Sequence, residues 1–156
     1  MFSDKAKEEI RQVFKKYPNK RSAVMDVLRI AQRERGGHIE KEDMEEIARL
    51  LGMQTVDVNA QAAFYTMYNV EKPVGKHHIQ VCRNISCSLL GAENLIKHME
   101  KELNIKVGET TPDKKFTLST VECLGSCGTA PMMQINDDYY ENLSAEKIDK
   151  ILKDLK

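Results

Sequence analysis

No run of eighteen apolar residues occurs in this 156-residue chain, so neither a transmembrane helix nor direct membrane insertion is expected. Charge of one sign is equally lacking. The 24 basic and 24 acidic side chains cancel to a net charge of +0. They are also interleaved: residues 1–75 hold 13 basic and 12 acidic groups, and residues 76–156 hold 11 and 12. Neither half has the basic excess that phosphate neutralisation demands, so nucleic acid is not an expected partner. The opening MFSDKAKEEI mixes both signs of charge and has no apolar h-region. A secretory signal is therefore not expected, and the chain reads as cytoplasmic. No C-x-x-C occurs, which argues against a thioredoxin-type dithiol. No C-x-H or C-x-x-H occurs, which argues against a Rieske centre. No G-x-G-x-x-G follows a predicted strand, so a dinucleotide site on this chain is not expected; Gly36-Gly37 reads as a helix stop.

What is present divides in two. The first half has helical periodicity. Ala6, Ile10, Val13, Phe14 and Tyr17 share one face, closed by Pro18; Ala23, Val24, Val27, Leu28, Ile30 and Ala31 repeat the pattern up to Gly36. Glu42 to Leu51 predicts a third helix with Gly52 just past its end, and Thr55 is placed to cap a fourth through about Phe64. The stretch Phe64, Tyr65, Met67 and Tyr68 is read as core, with a docking surface as the other reading. Glu71 to Lys76, with Pro73 and Gly75, reads as a linker. Beyond it the period changes to two. His77–Cys82 is a strand, and Ser88 to Leu103 a helix capped by Ser88 with Leu89 and Leu90 available for the core. Glu109 to Lys115 is a loop and Phe116 to Cys123 a strand. Met132–Ile135 and Tyr139-Tyr140 flank a hairpin turn, and Ser144 caps a last helix. The order β-α-β-β-β-α predicts an α+β fold.

The informative residues are four cysteines, Cys82, Cys87, Cys123 and Cys127, spaced C-x4-C and C-x3-C with 35 residues between the pairs. In a reducing compartment such a set points to metal ligation or redox chemistry before disulfides. Each pair starts at a predicted strand end and runs into a loop, so two loops could aim four thiolates at one centre. Four-cysteine zinc sites most often use C-x2-C knuckles. A [2Fe–2S] rhomb is wider, because each iron takes two cysteines, and longer loops suit it. The spacing favours the cluster and leaves a zinc-stabilised structural or adaptor module open, with a metal-free thiol-redox protein as a third reading. Gly125 and Gly128 would let backbone amides approach sulfur, and the start of a Ser88 helix would point its positive end at Cys87. Arg83 would add a cation or be an ordinary surface residue. His77 and His78 are read as strand residues with one face wet rather than ligands, and Met132-Met133 as strand core.

At these residues the chain resembles the thioredoxin-like [2Fe–2S] subunits of NADH dehydrogenases, the E-type subunit of bacterial NADH:quinone oxidoreductase. The resemblance runs through Tyr17-Pro18, Arg21-Ser22-Ala23-Val24-Met25, Gly36-Gly37-His38-Ile39 and Phe64-Tyr65-Thr66-Met67-Tyr68. It continues through Val74 to His78, Val81 to Cys87, Gly108 to Asp113 and Val121 to Pro131. It implies a helical docking domain over residues 1–72 and a thioredoxin-like domain over 73–156. It further implies one [2Fe–2S] cluster held by Cys82, Cys87, Cys123 and Cys127, in an oxidoreductase complex. FMN and NAD would sit on an iron–sulfur flavoprotein partner. The same subunit type serves NAD-linked and electron-bifurcating hydrogenases and some formate dehydrogenases. Because thioredoxin-like folds commonly place a cis-proline before the strand facing the redox site, Pro131, four residues after Cys127, is expected to be cis.

Overall fold

The computed structural model describes residues 2–70 and 72–155. Glu71, which opens the expected linker, and the terminal residues Met1 and Lys156 lie outside the described residues. The chain divides into two compact units, Met1–Pro73 and Val74–Lys156.

The first unit is built from α1 (Asp4–Phe14), α2 (Val24–Glu34), α3 (Lys41–Leu51) and α4 (Thr55–Phe64). Ser3 caps α1, its hydroxyl accepting the Ala6 N–H at 3.2 Å. The apolar faces read from periodicity meet in one core, with Ile10, Val27, Leu28, Ile47 and Val58 buried. Asp43 is buried at the start of α3, where it accepts the Glu40 N–H at 3.0 Å and the Arg35 guanidinium at 2.9 Å. Gly52 ends α3 as expected. Thr55 does not cap α4 but is its first helical residue. The Gln54 carbonyl takes the first helical bonds, from Asp57 and Val58 N–H. The aromatic stretch after α4 splits. Tyr68 is buried and donates to the Met25 carbonyl at 2.7 Å, whereas Phe64, Tyr65 and Met67 are exposed.

The second unit carries β1 (His77–Cys82), α5 (Ile85–Leu89), α6 (Ala92–Leu103), β2 (Phe116–Val121), β3 (Met133–Ile135), β4 (Asp138–Tyr140) and α7 (Ala145–Asp154). The sheet order is β2-β1-β3-β4. β1 and β2 run parallel, which requires the crossover that α5 and α6 supply. β3 returns antiparallel to β1, and β4 antiparallel to β3 through a turn in which Asn136 has φ +55°. Ile79, Val81, Leu118, Met133 and Ile135 give the sheet a buried apolar face, covered by Ile96 and Met99 of α6 and Ile148 and Leu152 of α7. Ser144 caps α7 as expected, accepting the Lys147 N–H at 3.3 Å. The Ala130–Pro131 peptide is cis, as expected.

Two expectations fail here for one reason. The single helix expected from Ser88 is broken in two by Gly91, whose φ of +92° belongs to the left-handed region. Leu89 and Leu90 therefore turn outward, 80% and 59% exposed, and do not join the core. The cap is Asn84, whose side chain accepts the Ile85 N–H at 2.9 Å, and the Ser88 hydroxyl instead donates to the Arg83 carbonyl. His77 also departs from a wet strand face: it is buried, its ring 5.4 Å from that of Phe116. His78 pairs with the Ser119 hydroxyl at 2.8 Å rather than with a cysteine. Among the described residues no helix is long and apolar enough to cross a membrane.

Candidate metal centre

Cys82 is the last residue of β1, where pairing to both β2 and the segment before β3 fixes its backbone; its N–H reaches the Met132 carbonyl at 3.2 Å. Cys87 sits in the middle of α5, five residues on. Cys123 follows β2 by two residues, and Cys127 begins a short 3₁₀ turn, Cys127–Thr129. The parallel pairing of β1 and β2 puts Cys82 opposite Val121, so both loops leave the same end of the sheet. Arg83 and Glu122 join the loops, Nε to Oε1 at 3.1 Å. The Arg83 charge is thus directed at Glu122 in the second loop.

The sulfurs gather. The Cys82 thiol is in hydrogen-bond contact with those of Cys87 and Cys123, and Cys87 is within electrostatic reach of both Cys82 and Cys127. Cys82 and Cys87 are buried against Ala92 and Met132, whereas Cys123 and Cys127 are exposed. Backbone amides meet three of the four. Asn84 and Leu124 donate to Cys82, Met132 to Cys87, and Gly125 to Cys123 Sγ at 3.3 Å. Burial pushes the Cys82 thiol up, but the Asn84 and Leu124 amides and the neighbouring thiols outweigh it and hold it below its ordinary value. At Cys87 burial wins, assisted by Cys82, and its thiol lies above the ordinary value. Gly125 adopts φ +79°, which turns its N–H onto sulfur; Gly128 needs no such conformation. The donor expected from the helix dipole is not the one found. α5 is only five residues long and Cys87 lies inside it, so the Met132 amide serves that sulfur instead.

These residues fit an anionic sulfur-ligated group: four thiols on two loops, one inner pair shielded from water, and amide donors aimed at sulfur. A two-iron core takes two thiolates at each iron, a number that two loops of two cysteines supply. Sequence reasoning missed the residues that brace the second loop from a distance. Tyr139 donates to the Leu124 carbonyl at 2.8 Å, and Glu141 accepts from Ser126 and Thr129. Their signal was only a Tyr-Tyr-Glu run after the hairpin.

A mixed sheet covered by helices, with two cysteine loops leaving one end, defines an iron–sulfur electron carrier of thioredoxin-like architecture. The chain belongs to the thioredoxin-like [2Fe–2S] ferredoxin family, which matches residues 10–156. The cofactor of that family is a [2Fe–2S] cluster. The chain is similar to the E 2 subunit of the NADH-quinone oxidoreductase of Rhizobium meliloti (strain 1021), 50% identical over 147 residues that span 94% of this chain and 86% of the relative. It is also similar to the E subunit of the NADH-quinone oxidoreductase of Rickettsia conorii (strain ATCC VR-613 / Malish 7), 47% identical over 146 residues, 92% of this chain and 87% of the relative. In fold it is similar to an NAD+-reducing [NiFe]-hydrogenase in the air-oxidized state, with a TM-score of 0.65 at 21% identity. That likeness covers 73% of this chain but only 20% of the hydrogenase chain.

Proposed function

We propose that Cys82 and Cys87 ligate one iron, and Cys123 and Cys127 the other, of a single [2Fe–2S] cluster in an NADH-oxidising complex. The observation that carries this is the gathering of the four sulfurs from two loops, with backbone amides donating to them. When bound, such a cluster supplies a one-electron relay. The chain's own residues set the terms of that relay. The amides of Asn84, Leu124, Met132 and Gly125 stabilise negative sulfur; the burial of Cys82 and Cys87 excludes water from the inner side; and exposed Cys123 and Cys127 mark the side open to a redox partner.

The partner in this reading is an FMN-bearing flavoprotein that oxidises NADH, on the cytoplasmic side of an NADH:quinone oxidoreductase. The quinone-oxidoreductase relatives, each about half identical over nearly the whole chain, support that host over a hydrogenase. The first unit, with no cysteine and an exposed apolar stretch after α4, is assigned to docking. The test is analysis of the purified chain for iron and acid-labile sulfide, with visible and EPR spectra. Two irons and two sulfides per chain are expected. A single zinc without sulfide, and a colourless protein, would sink the assignment in favour of the zinc module.

A further inference from the structure

The cysteine loop at residues 123–130 is held by a strap that follows it in sequence. Ser126 and Thr129 flank Cys127, and both hydroxyls donate to the same carboxylate oxygen: Glu141 Oε1 accepts from Thr129 Oγ1 at 2.6 Å and from Ser126 Oγ. The two hydroxyls are 2.7 Å apart. Main-chain bonds keep Glu141 in place, with Asn142 N–H on the Thr129 carbonyl at 2.7 Å and Leu143 N–H on the Pro131 carbonyl at 2.9 Å. Lys147 Nζ bonds the main-chain oxygen of Glu141 and acts on its carboxylate only through space, so the side-chain hydrogen bonds to the carboxylate come from the two hydroxyls.

We propose that Glu141 is a positioning residue for Cys127: it clamps the turn from Ser126 to Thr129 and fixes a negative charge beside the centre, lowering its reduction potential. This rests on ligation by the four cysteines as proposed above. The clamp is geometric. A 3₁₀ turn of three residues has little hydrogen bonding of its own, and a single acceptor drawing in both flanking hydroxyls restricts where the Cys127 side chain can point. The charge acts through Coulomb's law. A reduced centre carries one more negative charge than an oxidised one, so a fixed carboxylate nearby disfavours reduction. The hydrogen bonds from Ser126 and then Thr129 hold this carboxyl below its ordinary value, which keeps it ionised at neutral pH.

The test uses the full chain as isolated with its cluster, comparing the natural protein with Glu141→Gln, Glu141→Ala and, as a distant charge control, Glu102→Gln, at an exposed position ten residues along α6 from Ala92. Three quantities are read: iron and sulfide content, reduction potential by EPR-monitored titration, and backbone hydrogen exchange of residues 123–131 in the metal-free chain. Glu141→Gln retains an acceptor without charge. It is expected to keep the cluster and raise the reduced-to-oxidised ratio at a fixed poise about tenfold, an upward shift of ~59 mV for a one-electron couple. Glu141→Ala is expected to show that shift and also to speed loop exchange and cluster release to a chelator about tenfold, with partial rescue in Glu141→Gln. Glu102→Gln should change neither. Unchanged potential and unchanged loop exchange in both Glu141 variants overturn the proposal. So does a lowered melting temperature with neither quantity altered, which would mark a merely structural residue. A natural chain without iron and sulfide defeats the ligation reading instead, and loop exchange in the metal-free chain still decides the clamp.

Discussion

At the scale of single residues, the centre depends on a few side chains and one backbone torsion. Replacing any one of Cys82, Cys87, Cys123 or Cys127 by alanine should abolish or strongly destabilise the cluster, because an iron loses a thiolate; iron, sulfide and visible absorbance measure it. Gly125→Ala and Gly128→Ala should differ. The first forces a Cβ into φ +79°, at a cost of about 1–2 kcal/mol, and turns an amide away from Cys123; the second meets open space. Thermal melts should show a lower Tm for Gly125→Ala alone, with faster cluster loss. His77 supplies a pH dependence whose sign is set by burial. Burial, with Lys76 and Lys115 adding repulsion, lowers its pKa from the ordinary 6.5. The unfolded chain therefore takes the proton more readily, so this stability is complete above the ordinary pKa and is lost as pH falls through it toward the folded value. The stability of the natural protein against denaturant should fall as pH drops through the ordinary 6.5, and His77→Phe should flatten that slope, with His78, also lowered by burial, accounting for a remainder. A slope unchanged in His77→Phe would assign the effect elsewhere. The cysteines were legible because ligand spacing is local. Glu141 was not, because its partners Ser126 and Thr129 lie across a hairpin that only folding brings back to them.

At the scale of elements, α4 and α5 carry the surface consequences. Most helices here show a charged outer face, but α4 has one charged residue, Asp57, and leaves Val56 70% and Phe64 78% exposed. A helix apolar on both sides is normally covered on both. In the docking reading, Phe64→Ser with Met67→Ser should weaken binding to the flavoprotein by about tenfold or more while leaving cluster content unchanged, measured by titration calorimetry. Equal affinity would move the docking surface off α4. The Thr55 signal from which α4 was expected could not say which of two apolar sides would be buried, because that is decided by neighbours. The same limit produced the error at Ser88: an i, i+3, i+4 pattern continues smoothly through Leu89 and Leu90, and Gly91 breaks it only because its left-handed torsion restarts the chain as α6.

At the scale of the whole molecule, the proposed reading divides ligands and docking between the units. All four cysteines fall within Val74–Lys156, which has its own core of sheet and helices. A chain beginning at Val74 should therefore keep iron, sulfide and visible absorption yet bind the flavoprotein poorly. Full affinity in that truncated form would place docking entirely on the second unit, and loss of absorption would show that the first unit supports the cluster.

The sequence by itself determined most of the elements and the two cysteine loops of the proposed site, since helical and strand periodicity, the Gly52 stop, the Ser144 cap and the cysteine spacing are written in residues a few positions apart. The tertiary structure alone decided which groups serve the sulfurs. The Met132 amide reaches Cys87, Arg83 meets Glu122, and Glu141 closes on Ser126 and Thr129 only after β1, β2 and β3 have paired. These contacts join residues 12 to 45 positions apart, and no local pattern encodes them; they are fixed by the register of the sheet and the loops that leave its end.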